Sequence, residues 1–177
     1  TTVPRSIEAV VADLAILIAG AAYVPLDLDY PPARTAAMIA DAGVRVAVTP
    51  AGRDGLPVTE IAVAAPADGS RRAPAPPVPD GRCEAYVMFT SGSTGRPKPV
   101  LVTHAGVARL ATDARLARGR WLHASTRLFD AATLEVWVPL LRGDSVVVLP
   151  GRVGTAEIGA AIRELGVEVA FLTAGLF

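Results

Sequence analysis

A run of hydroxyl-bearing residues and glycines lies between two apolar segments and is followed by a lysine. Residues 90–95 read Thr-Ser-Gly-Ser-Thr-Gly, and Lys98 follows shortly after. The flanking segments, Ala85–Phe89 and Val100–Val102, are apolar and predict strands. Glycines let backbone N–H groups approach an anion, hydroxyls add short donors and a lysine adds a point charge. The layout therefore predicts a phosphate-binding loop between two strands.

The same composition also fits a Ser/Gly turn that only connects two strands of a hairpin. The common P-loop is excluded, because no Gly-Lys-Ser/Thr follows a four-residue spacer. The complete string, Thr-Ser-Gly-Ser-Thr-Gly-x-Pro-Lys, resembles the signature loop of the adenylate-forming superfamily. That superfamily contains acyl-CoA synthetases, luciferases and the adenylation domains of nonribosomal peptide synthetases. The resemblance implies that the β- and γ-phosphates of ATP, with Mg²⁺ bound in the parent domain, are held by Thr90, Ser91, Gly92, Ser93, Thr94, Gly95 and Lys98.

Pro99 stands where members of the superfamily usually have glycine after the loop lysine. Proline lacks an N–H, cannot adopt a positive φ and disfavours the helical region for the residue before it. We therefore expect an extended backbone at Lys98 and a rearranged lysine end of the loop.

An earlier stretch, from Leu17 to Asp27 and on to Tyr30-Pro31, carries a second resemblance. Its Ala-Gly-Ala-Ala-Tyr-Val-Pro-Leu-Asp is similar to the second core motif of peptide-synthetase adenylation domains, with Ile18 in place of the usual lysine. We expect these residues to pack a helix against a strand and to turn the chain.

Asp130 precedes a mostly apolar segment that predicts a helix ending at Gly143. An aspartate in this position has an ordinary explanation as the N-cap of that helix. However, Phe-Asp-Ala-x-x-x-Glu-x-Trp looks like the fourth core motif of amino-acid adenylation domains, in which the aspartate binds the α-ammonium of the substrate. A carboxylate suits a cation because it accepts charge-assisted hydrogen bonds. By the same resemblance, Ala131 and Leu134 fall on positions of the side-chain pocket.

Helical and strand patterns alternate along the chain, which predicts an α/β fold with a parallel-strand-rich sheet and covering helices. The resemblance implies part of the large N-terminal subdomain of an adenylate-forming enzyme. Further helices are predicted from Ser6 to Gly20, Pro32 to Gly43, Ala105 to Leu116 and Thr155 to Leu165, and further strands at Ala21–Leu26, Val44–Thr49, Val58–Val63, Trp121–Ala124, Ser145–Leu149 and Val167–Thr173.

Composition fits a cytoplasmic protein and indicates no nucleic-acid or membrane partner. The 17 basic and 17 acidic residues balance, and no apolar run is long enough to span a bilayer. A single cysteine, Cys83, fits a reducing compartment and excludes a cysteine metal site.

The hydrophobic fraction of 51% is high for a soluble domain. We therefore expect residues 1–177 to be a fragment whose surfaces are covered by more protein, and the resemblance implies that the fragment is a partial adenylation domain. Residues 64–82 are expected to form a Pro/Ala/Arg-rich internal connector.

The resemblance implies a parent enzyme, an AMP-forming ligase, that converts an amino acid and ATP to aminoacyl-AMP and loads it on the phosphopantetheine thiol of a peptidyl carrier protein, as in antibiotic biosynthesis. A neighbouring condensation domain is a further implied partner, and the need for an MbtH-like activator is open. The family's remaining adenine, ribose and lysine motifs are absent from this sequence, so we expect the chain alone to be inactive. Two alternatives stay open: an acyl- or aryl-CoA ligase fragment, or a non-catalytic remnant with a docking role.

Overall fold

The computed structural model describes residues 1–27, 29–50, 55–63, 80–91 and 97–176. The helices are α1 (Ile7–Ile18), α2 (Pro32–Asp41), α3 (His104–Ala111), α4 (Ala131–Leu141) and α5 (Thr155–Glu164), and the strands are β1 (Val46–Pro50), β2 (Thr59–Val63), β3 (Glu84–Thr90), β4 (Lys98–Thr103), β5 (Arg120–His123) and β6 (Ser145–Val148). Helices and strands both occur along the chain, and from β4 onward they alternate.

The described strands form three pairs, and two of the pairs are parallel: β1 with β2 and β5 with β6. This arrangement, with helices between the strands, confirms the predicted α/β class. The third pair, β3 with β4, is antiparallel, because the short hydroxyl–glycine loop can only return the chain as a hairpin. Among the described strands β4 pairs with β3 alone. Pro99 therefore lies in an edge strand, where a missing N–H is tolerated.

Two predicted strands, Ala21–Leu26 and Val167–Thr173, are wrong as full strands and contribute single parallel bridges, Tyr23 to Tyr86 and Val169 to Trp121. The first segment contains Pro25, which has no N–H to continue the ladder. The second segment pairs with β5 only through Val169, because β5 ends at His123. The next N–H, that of Ala124, donates to the Glu135 carboxylate instead of to a carbonyl of the second segment.

Helix boundaries follow local hydrogen-bonding groups. Ser6 caps α1 and accepts from the Ala9 N–H, as predicted. Helix α3 ends at Ala111, several residues before the predicted Leu116. The Asp113 carboxylate accepts from the Arg115 N–H at 3.0 Å, which stabilises a turn in place of another helical turn.

The tyrosine in the motif after α1 has a structural role, as expected. Tyr23 is 4% exposed, and its ring centroid lies 5.4 Å from that of Tyr86. Its hydroxyl accepts a 2.7 Å hydrogen bond from Nε1 of Trp137 on α4. Burial is the main cause of a strongly raised pKa of Tyr23. The motif therefore joins the segment after α1 to β3 and α4, the two elements that carry the site.

No helix within the described ranges is long and apolar enough to cross a membrane. Most of the predicted connector, residues 64–79, lies outside the described part of the chain. Its described end is a turn in which the Asp80 carboxylate accepts from the backbone N–H of Arg82 at 2.9 Å.

Candidate functional site

A cavity of about 660 Å³ lies where α4 begins. Its wall consists of the first turn of α4, the residues after β5, the stretch 171–173, and single residues from β3, α3 and the segment before α5. Small-molecule sites have volumes of roughly 300–1,000 Å³ and combine an apolar wall with a few polar groups. The three residues predicted to bind the amino acid, Asp130, Ala131 and Leu134, all line this cavity.

Asp130 does not cap α4 with its side chain. It has helical dihedral angles, φ −61° and ψ −23°, and makes no side-chain cap hydrogen bond. An N-cap residue normally has extended dihedral angles, which direct its side chain toward the first free N–H groups. The capping explanation of Asp130 is therefore wrong. The backbone carbonyl of Asp130 accepts from the Thr133 N–H at 2.9 Å, while its carboxylate is exposed at the cavity wall.

Tyr86 and Thr133 are the buried polar neighbours of Asp130. The Thr133 hydroxyl donates to Oη of Tyr86 at 2.7 Å. Burial, and to a lesser extent the negative charge of Asp130, raise the pKa of Tyr86 against the opposite effect of that hydrogen bond. The phenol is therefore neutral and close to the Asp130 carboxylate. Together these groups form the acidic corner of the cavity, which we define as Asp130, Tyr86 and Thr133.

Glu135 holds the residues after β5, which form part of the same wall. It is fully buried, and its Oε2 accepts from Nδ1 of His123 at 2.8 Å and from the N–H groups of Ala124 and Ser125 at 3.1 and 3.0 Å. Its Oε1 accepts from the Ser125 hydroxyl at 2.5 Å. A buried carboxylate with four donors is well satisfied. Glu135 thus fixes segment 123–125 relative to α4, one turn from Asp130.

Arg5, near the start of the chain, holds the same segment from its carbonyl side. Its guanidinium donates to the carbonyls of Ala124 and Ser125, and also to those of Leu149 and Gly151. Burial lowers the pKa of Arg5, and the nearby charge of Glu135 offsets part of that shift. The backbone N–H groups of Ala124 and Ser125 thus donate to the Glu135 carboxylate, while their carbonyls accept from the Arg5 guanidinium.

The ends of the hydroxyl–glycine loop lie at one end of the β3–β4 hairpin. Thr90 is paired with Lys98 in the strand register, and Ser91 follows with an exposed side chain. Lys98 begins β4, which confirms the extended backbone expected from Pro99. The remaining predicted loop residues, Gly92, Ser93, Thr94 and Gly95, lie outside the described part of the chain.

A second cavity, of about 120 Å³, contains the start of this loop. It is lined by Thr90 and Ser91, and also by Phe129, which lines the larger cavity as well. The two cavities are therefore adjacent. Arg34 lines the smaller cavity, and its guanidinium lies 4.1 Å from the centroid of the Tyr30 ring. A cation next to two hydroxyls suits an anionic ligand.

Sequence reasoning assigned no site role to six residues that the structure brings to the site: Tyr86, Thr133, Glu135, His123, Arg5 and Arg34. For His123 the sequence did contain a signal. Glu135 is the only charged residue in the apolar α4 sequence, and a buried acid requires hydrogen-bond donors nearby. Arg5 lies 119 and 120 residues away in sequence from the carbonyls it binds after β5, and no local pattern reveals such a contact.

Several known proteins are similar to this chain in sequence. A family model described as AMP-binding enzyme matches residues 1–177. The chain is 45% identical over 188 residues to a linear gramicidin synthase of Brevibacillus parabrevis, covering 99% of this chain and 4% of that protein. It is 36% identical over 187 residues to malpibaldin synthetase of Mortierella alpina, covering 98% of this chain and 3% of that protein. The chain thus spans a small part of these relatives.

Solved structures share the fold. Holo-PA1221, an NRPS protein containing adenylation and PCP domains, superimposes with a TM-score of 0.85 at 34% identity, over 98% of this chain and 31% of that one. The N-terminal subdomain of Klebsiella oxytoca NpsA, in complex with 3-hydroxybenzoyl-AMSN, gives a TM-score of 0.82 at 27% identity, over 98% of this chain and 46% of that one. The described fold is therefore that of part of the N-terminal subdomain of an adenylation domain.

Proposed function

Because this chain belongs to the AMP-binding enzyme family, we propose that its parent domain activates an amino acid for nonribosomal peptide synthesis. A carboxylate oxygen of the amino acid bonds to the α-phosphorus of ATP. The bond from that phosphorus to the oxygen bridging to the β-phosphate breaks, and pyrophosphate leaves with the electron pair. The product, aminoacyl-AMP, then passes its acyl group to a thiol and releases AMP.

One observation carries the choice of an amino acid: the Asp130 carboxylate lies in the wall of a cavity and is not used to cap α4. An α-ammonium group is the part of an amino acid that such a carboxylate binds, whereas a fatty or aromatic acid has no cation to offer. The neutral Tyr86 phenol, held by the Thr133 hydroxyl, adds a polar partner without adding charge. The acidic corner is thus suited to the amino group of the substrate.

The phosphates would lie at the adjacent hydroxyl–glycine loop. Thr90, Ser91 and Lys98, with the loop residues between them, would bind pyrophosphate oxygens as negative charge builds on them. Mg²⁺ supplies charge neutralisation for those phosphates when it is bound. The described residues contain no group of three His, Cys, Asp or Glu side chains that could hold it.

Replacing Lys98 with alanine should raise the KM for ATP about tenfold, because a charge-assisted contact contributes about 1.5–3 kcal/mol. The KM for the amino acid should stay within twofold, because Lys98 does not line the larger cavity. Initial rates measured at varied ATP and varied amino acid give both constants. Arg82→Ala is the control, because Arg82 is exposed in the turn near residue 80. An unchanged KM for ATP would remove Lys98 from the phosphate site.

Amino-acid-dependent ATP–pyrophosphate exchange by the intact adenylation domain tests the proposal. We expect labelled pyrophosphate to enter ATP with one or a few amino acids and to stay at background with carboxylic acids that lack an α-amine. Equal exchange with such acids would identify an acyl- or aryl-CoA ligase. A folded intact domain that neither exchanges nor binds ATP would identify a non-catalytic remnant with a docking role. The described geometry and the relatives do not favour either alternative.

The proposal extends to the partners and the compartment. A peptidyl carrier protein with a phosphopantetheine thiol would receive the acyl group, next to a condensation domain, in the cytoplasm and in a pathway of the kind that makes peptide antibiotics. An MbtH-like protein would be a partner if the isolated domain expresses in soluble form only together with it. An increase in carrier-protein mass by one aminoacyl residue after incubation with ATP and the amino acid would support the transfer step.

A further inference from the structure

We propose that the larger cavity selects amino acids with a bulky, uncharged, apolar side chain, and that Leu134, Phe171 and Ala131 set this preference. The inference rests on the proposed function, because it assigns the amino group of the substrate to Asp130. It goes beyond that function by naming which amino acids the cavity accepts. Three features of the wall support it: its charges, the hydrogen bonds that its hydroxyls already make, and the shape and apolarity of the remaining surface.

The described wall of the cavity contains one charged side chain, that of Asp130. If Asp130 binds the α-ammonium, an acidic substrate side chain would find no cation in the described wall, and a basic one would find no second carboxylate. Glu135 lies close by, but its two oxygens already accept four hydrogen bonds from protein groups. An unpaired charge in an apolar site is strongly unfavourable. The wall therefore selects against charged side chains.

Two of the hydroxyls in the wall are already committed to protein partners. The Ser125 hydroxyl donates to Glu135, and that of Thr133 donates to Tyr86. The Tyr86 phenol belongs to the acidic corner, where the amino group of the substrate would bind. Hydroxyls that are tied in this way are poor partners for a polar side chain of a substrate, because rotation toward the ligand would leave a buried acceptor without its donor.

The rest of the wall is largely apolar and comes from separate elements. Leu110 lies on α3, Leu134 on α4, Val153 before α5, and Phe171 and Leu172 on the stretch that follows the bridge at Val169. Phe171 is 42% exposed, which is high for a large apolar side chain beside a cavity. A substrate side chain placed there would remove apolar surface from water on both partners, and this burial is the general source of apolar selectivity.

Ala131 gives the cavity its room next to Asp130. It is half-buried and its side chain is a single methyl group, so the first turn of α4 leaves space beside the acidic corner. The volume of about 660 Å³ accommodates a branched or aromatic side chain in addition to the amino-acid backbone. A larger residue at position 131 would occupy that space.

The test is the kcat/KM of the intact adenylation domain in ATP–pyrophosphate exchange with each of the twenty standard amino acids. We expect the best substrate to be among leucine, isoleucine, valine, methionine and phenylalanine, and to exceed aspartate, glutamate, lysine and arginine at least a hundredfold. A best substrate with a charged, small or strongly polar side chain would overturn the inference and leave the proposed function standing. Absence of exchange with every amino acid would overturn both.

Variants test whether the named residues cause the preference. Leu134→Lys should lower kcat/KM for the best apolar substrate at least tenfold and raise that for glutamate relative to it. Leu141→Lys is the matched control on the same helix, because Leu141 is 58% exposed and does not line the cavity.

Ala131→Phe should shift the preference toward smaller side chains. Phe171→Ala, at a half-exposed position where folding is least at risk, should lower kcat/KM for bulky substrates at least fivefold more than for alanine. Unchanged ratios in all three variants would overturn the assignment.

Discussion

Asp130→Ala should lower the kcat/KM of the intact adenylation domain for its amino acid by about a hundredfold or more. Removing a carboxylate that binds an ammonium group deletes a charge-assisted interaction and leaves the cation unpaired, a loss of about 3 kcal/mol. The KM for ATP should change little, because Thr90 and Ser91, at the start of the hydroxyl–glycine loop, line the adjacent cavity and not the larger one. ATP–pyrophosphate exchange at varied amino acid and varied ATP measures both constants.

Two comparisons make this result specific. In equilibrium binding measurements, the penalty of Asp130→Ala should be absent for the deamino analogue of the best amino acid, because that acid has no ammonium to lose. The thermal stability should also be unchanged, because Asp130 makes no side-chain cap bond, whereas loss of a true N-cap costs about 0.5–2 kcal/mol. Glu164→Gln, an exposed change at the end of α5, is the control. Equal loss of binding affinity for the amino acid and its deamino analogue would show that Asp130 does not bind the amino group.

Glu135→Leu should destabilise the domain by several kcal/mol, because each buried donor left without its acceptor costs about 1–3 kcal/mol. Four donors around the carboxylate would lose their acceptor, and two of them are backbone N–H groups that cannot move away. Glu135→Gln should cost less, about 1–2 kcal/mol, because one amide oxygen can still accept from several of these donors. Chemical unfolding followed by circular dichroism measures the series.

The critical result of that experiment is that Glu135→Leu lowers the free energy of unfolding more than Glu135→Gln does. An effect of Glu135→Leu no larger than that of Glu164→Leu would contradict the role assigned to the buried carboxylate. Ser125→Ala removes a single bond, that to Oε1, and should cost about 1 kcal/mol. It therefore serves as the mild member of the same series. Because segment 123–125 leads directly into the cavity wall, we also expect the KM for the amino acid to rise in the Gln variant while the KM for ATP stays constant.

Much of the framework could be predicted from local sequence. Ser6 and Pro32 mark the starts of α1 and α2 because capping by a hydroxyl and the fixed φ of proline act within a few residues. The apolar runs around the hydroxyl–glycine loop form β3 and β4. The predictions failed where the outcome depended on distant partners. At Val169 the pairing with β5 does not continue, because the N–H of Ala124, directly after β5, donates to Glu135.

Local patterns were enough to predict the α/β order, the strands on either side of the loop, and the position of Asp130, Ala131 and Leu134 at the start of one helix. Periodicity and capping encode these features, since both depend on residues close together in the chain. Long-range packing, in contrast, places Asp130 at a cavity instead of at the cap of α4. It also brings Glu135 and Arg5 to opposite sides of segment 123–125. A cavity wall assembled from β3, α3, α4 and the stretch 171–173 exists only after distant segments pack, because its shape and charge belong to no single segment.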